Sequence, residues 1–153
     1  MRGAMPVLAC VAALVALPGA LAGSAADPGI APGSILLGTT APLTGADTGE
    51  VAIARGAKAY FAHVNARGGV ASRRVEYTIA DDAGDPAVAE ETARRLVEDD
   101  GVFAILSPAG TEQALAARRY LNSSKVPQLF AASGAATWGR DRKTFPWSIG
   151  FQP

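Results

Sequence analysis

The sequence predicts an α/β protein with a doubly wound, mostly parallel sheet and helices on both faces. From residue 35 onward, short apolar runs alternate with longer amphipathic segments, which is the pattern of repeated β-α-β units. The first and third apolar runs are continuous rather than alternating, as expected for strands covered on both faces. Each connection is long enough for a helix, so four strands and three crossovers fit one parallel sheet.

Length and composition are those of one ordinary packed domain. The chain has 153 residues, of which 49% are hydrophobic and 18% charged, as in average globular proteins. Lys and Arg number 14, and Asp and Glu also number 14, so the charges cancel. Because no broad basic field is available for phosphate backbones, we expect no nucleic-acid partner.

The first 26 residues predict an export signal. Arg2 supplies a positive start, residues 7–17 supply an apolar stretch, and small residues at 20–22 or 24–26 supply a cleavage site. The apolar stretch is shorter than the roughly 20 residues that span a bilayer, which argues against a membrane anchor. We therefore expect a periplasmic or other extracytoplasmic protein whose mature chain begins near Gly23 or Asp27.

Cys10 is the only cysteine of the chain. The three residues before it resemble the tripeptide that precedes a lipid-modified cysteine, but most of the apolar stretch follows Cys10. We therefore expect an unmodified signal-peptide residue. The mature chain would then hold no disulfide, thiol nucleophile or thiolate metal site.

The first strand and helix follow from local patterns. Residues 35–37 form a continuous apolar strand that ends at Gly38. Residues 51–66 carry apolar residues at helical spacing, and Gly68 with Gly69 supplies a natural helix end. The side chains that we expect to face the core are Ile53, Ala57, Tyr60, Phe61 and Val64.

The remaining elements continue the alternation. Residues 75–79 alternate apolar with polar side chains and predict a half-covered strand. Asp85 is a strong helix cap, and proline costs least at the first helical position, where Pro86 stands, so a second helix begins here and ends at Gly101. The later elements are a strand over residues 102–106, a helix over 111–122 and a strand over 128–131.

Doubly wound sheets bind ligands beyond the carboxyl ends of their strands. Two of the loops there are rich in small residues and hydroxyls, residues 107–111 and 132–137. In the first loop, Gly110 allows close approach to the backbone, and Thr111 offers a hydroxyl at a helix start, where free amides favour an anion. An ordinary capped turn explains either loop alone, whereas two such loops at one edge favour a small-ligand pocket.

The residues that could carry catalysis or bind a metal are few. His63 is the only histidine, and we expect it to be partly buried and structural. Asp81 and Asp82 follow a strand, but the third aspartate and the lysine of a phosphate-accepting receiver are missing, so a turn or cap is expected. No glycine-rich nucleotide loop follows the first strand. We expect no catalytic residue, no bound metal and no cofactor, and thus a binding protein rather than an enzyme.

Several stretches in a fixed order along the chain match one family. They are Gly38-Thr39-Thr40 with Pro42, Thr44 and Gly45; Ala59-Tyr60-Phe61 through Val64-Asn65 and Gly68-Gly69-Val70; Asp81-Asp82 with Asp85-Pro86; Leu121-Asn122 with Lys125-Val126-Pro127-Gln128-Leu129-Phe130; and Phe145-Pro146-Trp147 to Gly150-Phe151-Gln152-Pro153. In these stretches the chain resembles the leucine/isoleucine/valine-binding proteins of bacterial ABC uptake transporters.

The resemblance implies a type I periplasmic-binding fold, in which two α/β lobes joined by a hinge close on a small ligand. The ligand would be an amino acid of the branched-chain type, or a related small carboxylate or amide, delivered to an ABC transporter permease in the membrane. Residues 27–153 would form the N-terminal ligand-binding lobe, truncated before the second lobe.

The resemblance also implies ligand-binding residues. Gly110 and Thr111 fall where the family binds an amino-acid carboxylate, and Glu50 stands where relatives often carry an aromatic contact. The second contact loop would comprise Ser133, Gly134, Ala135 and Ala136, with Thr137 as an alternative if the register slips by one.

An alternative function uses the same fold. The lobe could belong to the extracellular ligand-binding sensor domain of a signalling receptor. A membrane-spanning helix later in a longer chain would favour that alternative, whereas a stop after a second lobe would favour a free binding protein.

Overall fold

A computed structural model describes residues 27–45 and 48–151. The expected export signal, residues 1–26, lies outside these ranges. The strands are β1 (Ser34–Ala41), β2 (Arg74–Asp81), β3 (Ala104–Leu106), β4 (Gln128–Ala131) and β5 (Ser148–Gly150). The helices are a short 3-10 turn (Thr48–Glu50), α1 (Val51–Ala66), α2 (Pro86–Glu98), α3 (Thr111–Ser123) and α4 (Thr137–Arg140).

The five strands form one sheet in the order β2-β1-β3-β4-β5, and neighbouring strands in this order pair in parallel. The chain first moves to one side of β1 and then returns past it to build the other side. This reversal confirms the predicted doubly wound α/β layout and places a topological switch point between β1 and β3.

One face of the sheet is covered by α2, α3 and α4. Its largest core cluster contains Leu96 from α2, Ile105 from β3 and Leu121 from α3, none more than 2% exposed. Toward β5, Trp138 of α4 packs with Ala131 in a second cluster. The buried faces of three helices therefore fix the strands whose carboxyl ends carry the predicted loops.

The other face is covered over β1 and β2 by α1. Ala54 packs with Ala41 and Ile79, and the rings of Phe61 and Tyr77 meet edge to face at 5.4 Å. The helix bounds agree with the prediction over residues 51–66.

The expected apolar stripe of α1 is wrong at two of its five positions. Ile53 is 44% exposed and Tyr60 64% exposed, whereas Val51 and Ala54 are the buried residues. The physical reason is that α1 packs mainly against β1 and β2. Only a narrow strip of the helix is covered there, so the apolar residues on its flanks face solvent.

The start of α2 is capped as predicted. The Asp85 carboxylate accepts hydrogen bonds from the backbone amides of Ala87 at 2.7 Å and Val88 at 3.1 Å, and Pro86 occupies the first turn. Within residues 27–45 and 48–151, no helix is both long and apolar enough to cross a membrane.

Candidate functional site

The two predicted loops meet at the carboxyl ends of β3 and β4. Ala109 and Ala132 form an isolated parallel bridge, and the Ala132 amide donates to the Pro108 carbonyl at 3.0 Å. Beyond that bridge the hydroxyl oxygens of Thr111 and Ser133 lie 2.9 Å apart. The structure therefore brings together residues that are 22 positions apart in the sequence.

Gly110 precedes α3 in a backbone conformation that suits glycine. Its φ is 84° and its ψ is 132°, and a Cβ at this position would clash with the side-chain amide of Gln113. Gly110 is the N-cap residue, and no side chain caps the helix there. The first turn of α3 therefore offers backbone N–H groups and the positive end of the helix dipole to an anion.

Ser133 is buried, with 3% of its surface exposed, and its Oγ accepts a hydrogen bond from the Ala135 amide at 3.2 Å. A hydroxyl has one proton to donate and two lone pairs. If Ser133 donates to Thr111, the Thr111 proton is spare, and in the reverse arrangement the Ser133 proton is spare. Either way, the hydroxyl pair keeps one proton for a third acceptor.

The rest of the second loop differs in exposure. Gly134 and Ala136 are exposed, whereas Ala135 and Thr137 are half-buried. The Thr137 hydroxyl donates a short hydrogen bond to the Asp141 carboxylate and accepts one from Arg118 at 3.4 Å. Its hydroxyl thus has partners within the protein, in a network separate from the Thr111–Ser133 pair.

Glu50 is exposed at the N-cap of α1 and makes no side-chain capping hydrogen bond. One turn further along the helix, Ile53 lines a cavity of about 290 Å³. Ser107 and Ala132, from the two predicted loops, line the same cavity, together with Phe130 and Phe151. An apolar space therefore lies beside the polar groups of the two loops.

Phe130 is a lining residue that the sequence analysis placed in a strand without assigning it to the site. A register shift between Leu129 and Ala131 interrupts the β4–β5 pairing. Phe130 sits at this bulge with a φ of 55° and is 48% exposed. A bulge interrupts the alternation of side chains between the two faces of the sheet. No local sequence signal marks the bulge at Phe130.

The acidic pair at the end of β2 builds a turn, as predicted. The Asp81 carboxylate accepts bonds from the Thr44 hydroxyl at 2.6 Å and the Ala83 amide at 2.9 Å, and these bonds lower its pKa. Asp82 is fully buried and accepts from the Gly84 amide at 2.9 Å. Burial raises the pKa of Asp82.

Two further expectations concern metal and histidine chemistry. In the part of the chain that the structure describes, no three His, Cys, Asp or Glu side chains are grouped to hold a metal ion. His63 is exposed near the end of α1, so the expected partial burial is wrong. The reason is again the narrow contact of α1 with the sheet.

The arrangement of the two loops presents hydrogen-bond donors suited to an anionic group. Backbone amides at the start of α3 and the spare hydroxyl proton of the Thr111–Ser133 pair are charge-compatible donors for a carboxylate. The apolar cavity beside them can take up a hydrocarbon portion of the same molecule.

Comparison with known proteins shows the family of the chain. Residues 34–152 match the family described as "Periplasmic binding protein". The chain is 38% identical over 98 residues to the Leu/Ile/Val-binding protein homolog 2 of Brucella abortus, covering 63% of this chain and 24% of that protein.

Solved structures show the same fold. The substrate-binding protein LivJ of a Streptococcus pneumoniae branched-chain amino acid transporter, in complex with isoleucine, superposes with a TM-score of 0.66 and 25% identity over 78% of this chain and 34% of its own. A putative branched-chain amino acid ABC transporter protein from Silicibacter pomeroyi gives 0.68 at 23% identity over 78% of this chain and 32% of its own.

The chain thus spans about a third of these solved binding proteins. The family match nevertheless extends from β1 past β5 and includes both loops of the site. It also agrees with the sequence resemblance to leucine/isoleucine/valine-binding proteins. The chain therefore belongs to the periplasmic binding protein family.

Proposed function

We propose that this chain forms the first lobe of an extracytoplasmic solute-binding protein that serves an ABC uptake transporter. Residues 27–153 would be the lobe, and residues 1–26 would be removed as an export signal. Family membership supports the proposal, as does the fact that the chain spans 24% of the Brucella relative and 34% of the pneumococcal one. A second lobe and a membrane permease are the partners that this function requires.

The proposed ligand is an amino acid of the branched-chain type, or a related small carboxylate or amide. The observation that carries this proposal is the 2.9 Å contact between the Thr111 and Ser133 hydroxyls beside the start of α3. A carboxylate placed there would accept backbone N–H bonds and the spare hydroxyl proton. A hydrogen bond to a charged group contributes about 1.5 to 3 kcal/mol, enough for several such bonds to anchor a small ligand.

The hydrocarbon part of the ligand would lie in the adjoining cavity. Ile53, Phe130 and Phe151 supply its apolar wall, which favours an aliphatic or aromatic group over a polar one. Glu50, one turn before Ile53, would lie at the margin and contribute to selectivity. The ammonium group of an amino acid would be paired by the absent lobe.

In the second contact loop, we propose that the ligand is met mainly by Ser133 and by the backbone. Three residues of this loop have no polar side-chain atoms: Gly134 and Ala136, which are exposed, and Ala135, which is half-buried. Their backbone amides and carbonyls are therefore the only polar groups that they can offer to a ligand. Thr137 would contact the ligand through its backbone if at all, because its hydroxyl is bonded to Asp141.

Calorimetry on the full-length protein tests the proposal. Leucine, isoleucine and valine should each be titrated, with isoleucinamide as the matched compound that lacks the carboxylate. We expect saturable binding of at least one of the three amino acids, and binding of its amide weaker by about tenfold or more. Equal affinity for isoleucine and isoleucinamide would contradict the carboxylate site, and no binding of any of the three amino acids would contradict a branched-chain amino acid as the ligand.

A further inference from the structure

A buried arginine lies behind the second contact loop. The side chain of Arg118, on α3, is 3% exposed. Its guanidinium carbon is 4.7 Å from the ring centroid of Trp138 and 4.3 Å from that of Phe145. The guanidinium therefore contacts two aromatic faces, which is a favourable place for a cation.

The same guanidinium is tied to the first residue of α4. Its two terminal nitrogens donate to the Thr137 hydroxyl and carbonyl oxygens, each at 3.4 Å, and one of them lies 3.6 Å from the Asp141 carboxylate. Asp141 in turn accepts the Thr137 hydroxyl proton. Arg118, Thr137 and Asp141 thus form a closed network of three polar groups.

Burying this charged network costs free energy, which suggests that the network has a specific role. A buried charge loses hydration, and within the described residues the Nε atom of Arg118 has no hydrogen-bond partner. Burial lowers the pKa of the guanidinium, and the nearby Asp141 raises it again, so the group remains charged at neutral pH. An apolar residue would pack here without these penalties.

The position of Arg118 connects the two halves of the ligand site. Its helix, α3, begins directly after Gly110 and carries Thr111 in its first turn. Its partner, Thr137, is the first residue of α4 and directly follows Ala136 of the second contact loop. The same helix therefore contacts both loops, the first through its N-terminus and the second through Arg118.

We propose that Arg118 is a positioning residue that fixes the loop of residues 132–137 against α3, so that Ser133 meets Thr111 in the ligand site. This inference rests on the proposed function of that loop. It assigns the Thr137 hydroxyl to the support of the loop and not to the ligand. The guanidinium is required because its planar fork reaches two oxygens while its faces stack on rings, which a lysine ammonium does not do.

Hydrogen exchange read by mass spectrometry on the full-length protein tests the positioning role without any ligand. The variants are Arg118→Lys, which keeps the charge, and Arg118→Met, which keeps much of the volume. Arg119→Lys is the matched control, because Arg119 is the next residue of the same helix and is exposed. Thr137→Val is a milder variant that removes the hydroxyl while Arg118 stays in place.

We expect peptides covering residues 132–137 to exchange about tenfold faster in both Arg118 variants and in Thr137→Val, with α2 and β1 unchanged, because local opening costs less than global unfolding. The Arg119→Lys control should match the wild type. A uniform rise over all peptides would show a merely global effect and would overturn the proposal, as would an unchanged loop.

Measuring the isoleucine affinity of the same variants tests whether the position of the loop affects ligand binding. If the wild type binds isoleucine, Arg118→Lys should bind it about tenfold more weakly, because the misplaced loop no longer holds Ser133 against Thr111. A loosened loop with unchanged affinity would overturn the positioning role. If the wild type binds none of leucine, isoleucine and valine, a branched-chain amino acid is not the ligand, and the exchange result alone decides whether Arg118 fixes the loop.

Discussion

At the scale of single residues, the site depends on a glycine whose backbone angle and surroundings both exclude a side chain. Gly110 has a φ of 84°, which residues with a Cβ rarely adopt. A Cβ would also clash with Gln113, whose side-chain amide donates a hydrogen bond to the Gly84 carbonyl. A substitution at this position therefore affects folding as well as ligand approach.

Gly110→Ala should lower the free energy of unfolding by about 1 to 3 kcal/mol, the usual cost of a side chain in a strained backbone conformation. Part of this cost comes from the clash and part from the backbone angle. Gln113→Ala in the same protein should therefore recover part of the loss but not all of it. Urea unfolding of both single variants and of the double variant measures the contributions of the clash and of the backbone angle. If the double variant recovered all of the lost free energy of unfolding, the backbone angle would cost nothing.

Thr111→Val is the cleaner probe of ligand binding. Valine keeps the shape of threonine and removes the hydroxyl, so the Thr111–Ser133 hydrogen bond and the spare proton are lost together. Affinity for isoleucine should fall roughly ten- to a hundredfold, because a hydrogen bond to a charged group contributes about 1.5 to 3 kcal/mol. Thr78→Val, on β2 and away from the two loops, is the control. Unchanged affinity in Thr111→Val would remove this residue from the site.

The local sequence was enough to propose Gly110, Thr111 and Ser133 as candidates, because each follows a strand in a loop of small and hydroxyl residues. It could not predict the partners of Thr137. Arg118 and Thr137 are 19 positions apart, and their contact depends on how α4 packs on α3. Composition and periodicity carry no information about such a long-range polar contact.

At the scale of elements, the turn between β2 and α2 places two adjacent carboxylates in opposite environments. Asp81 is exposed and accepts hydrogen bonds from Thr44 and Ala83, which lower its pKa below the ordinary value of 3.8. Asp82 is buried, and loss of hydration raises its pKa above 3.8. The two groups should therefore make contributions of opposite sign to the pH dependence of stability.

Comparing Asp82→Asn with Asp81→Asn tests this prediction. The raised pKa of Asp82 favours folding below pH 3.8, and that contribution is lost as pH rises through the folded-state value. The wild type should therefore lose stability relative to Asp82→Asn as pH rises from 3.8 to the raised folded-state pKa of Asp82. Relative to Asp81→Asn it should gain stability as pH rises from the lowered folded-state pKa of Asp81 to 3.8, since a lowered pKa favours folding above 3.8. Urea unfolding at several pH values measures both differences in stability between the wild type and the variants. If the two differences changed with pH in the same direction, the assignment of opposite environments to Asp81 and Asp82 would be wrong.

Elements with a clear apolar pattern were predictable, and two short elements without one were not. The bounds of α1 and β4 agree with the sequence pattern, and α3 is one residue longer than expected. The pattern did not reveal α4, with four residues, or β5, with three. Ser148-Ile149-Gly150 has a single large apolar residue, so its pairing is set by the neighbouring strand β4 and not by its own periodicity.

At the scale of the whole molecule, the strand order explains why the site lies where it does. The switch point between β1 and β3 leaves the carboxyl ends of neighbouring strands open to a ligand. Across this point the Ala109 amide donates a hydrogen bond to the Thr40 carbonyl at 3.2 Å. On the face opposite α2 and α3, large side chains around β4 and β5 stay partly open among the described residues, including Phe130 at 48% and Ile149 at 50% exposure. The sequence predicted the sheet and the edge at which its strands end, but not which strands stay uncovered by helices. The pattern of a helix shows which of its sides is apolar and does not show which strands that side contacts.

The central claim is that a ligand carboxylate is held by backbone amides at the start of α3. The most direct test is an isoleucine titration of the nitrogen-15-labelled full-length protein, followed through its amide NMR signals. The amides of Gly110 and Thr111 should shift in a saturable manner, isoleucinamide should leave them nearly unmoved at the same concentration, and Gly56, exposed within α1, should not respond to either compound. Binding of isoleucine that leaves the Gly110 and Thr111 signals unmoved would contradict the account.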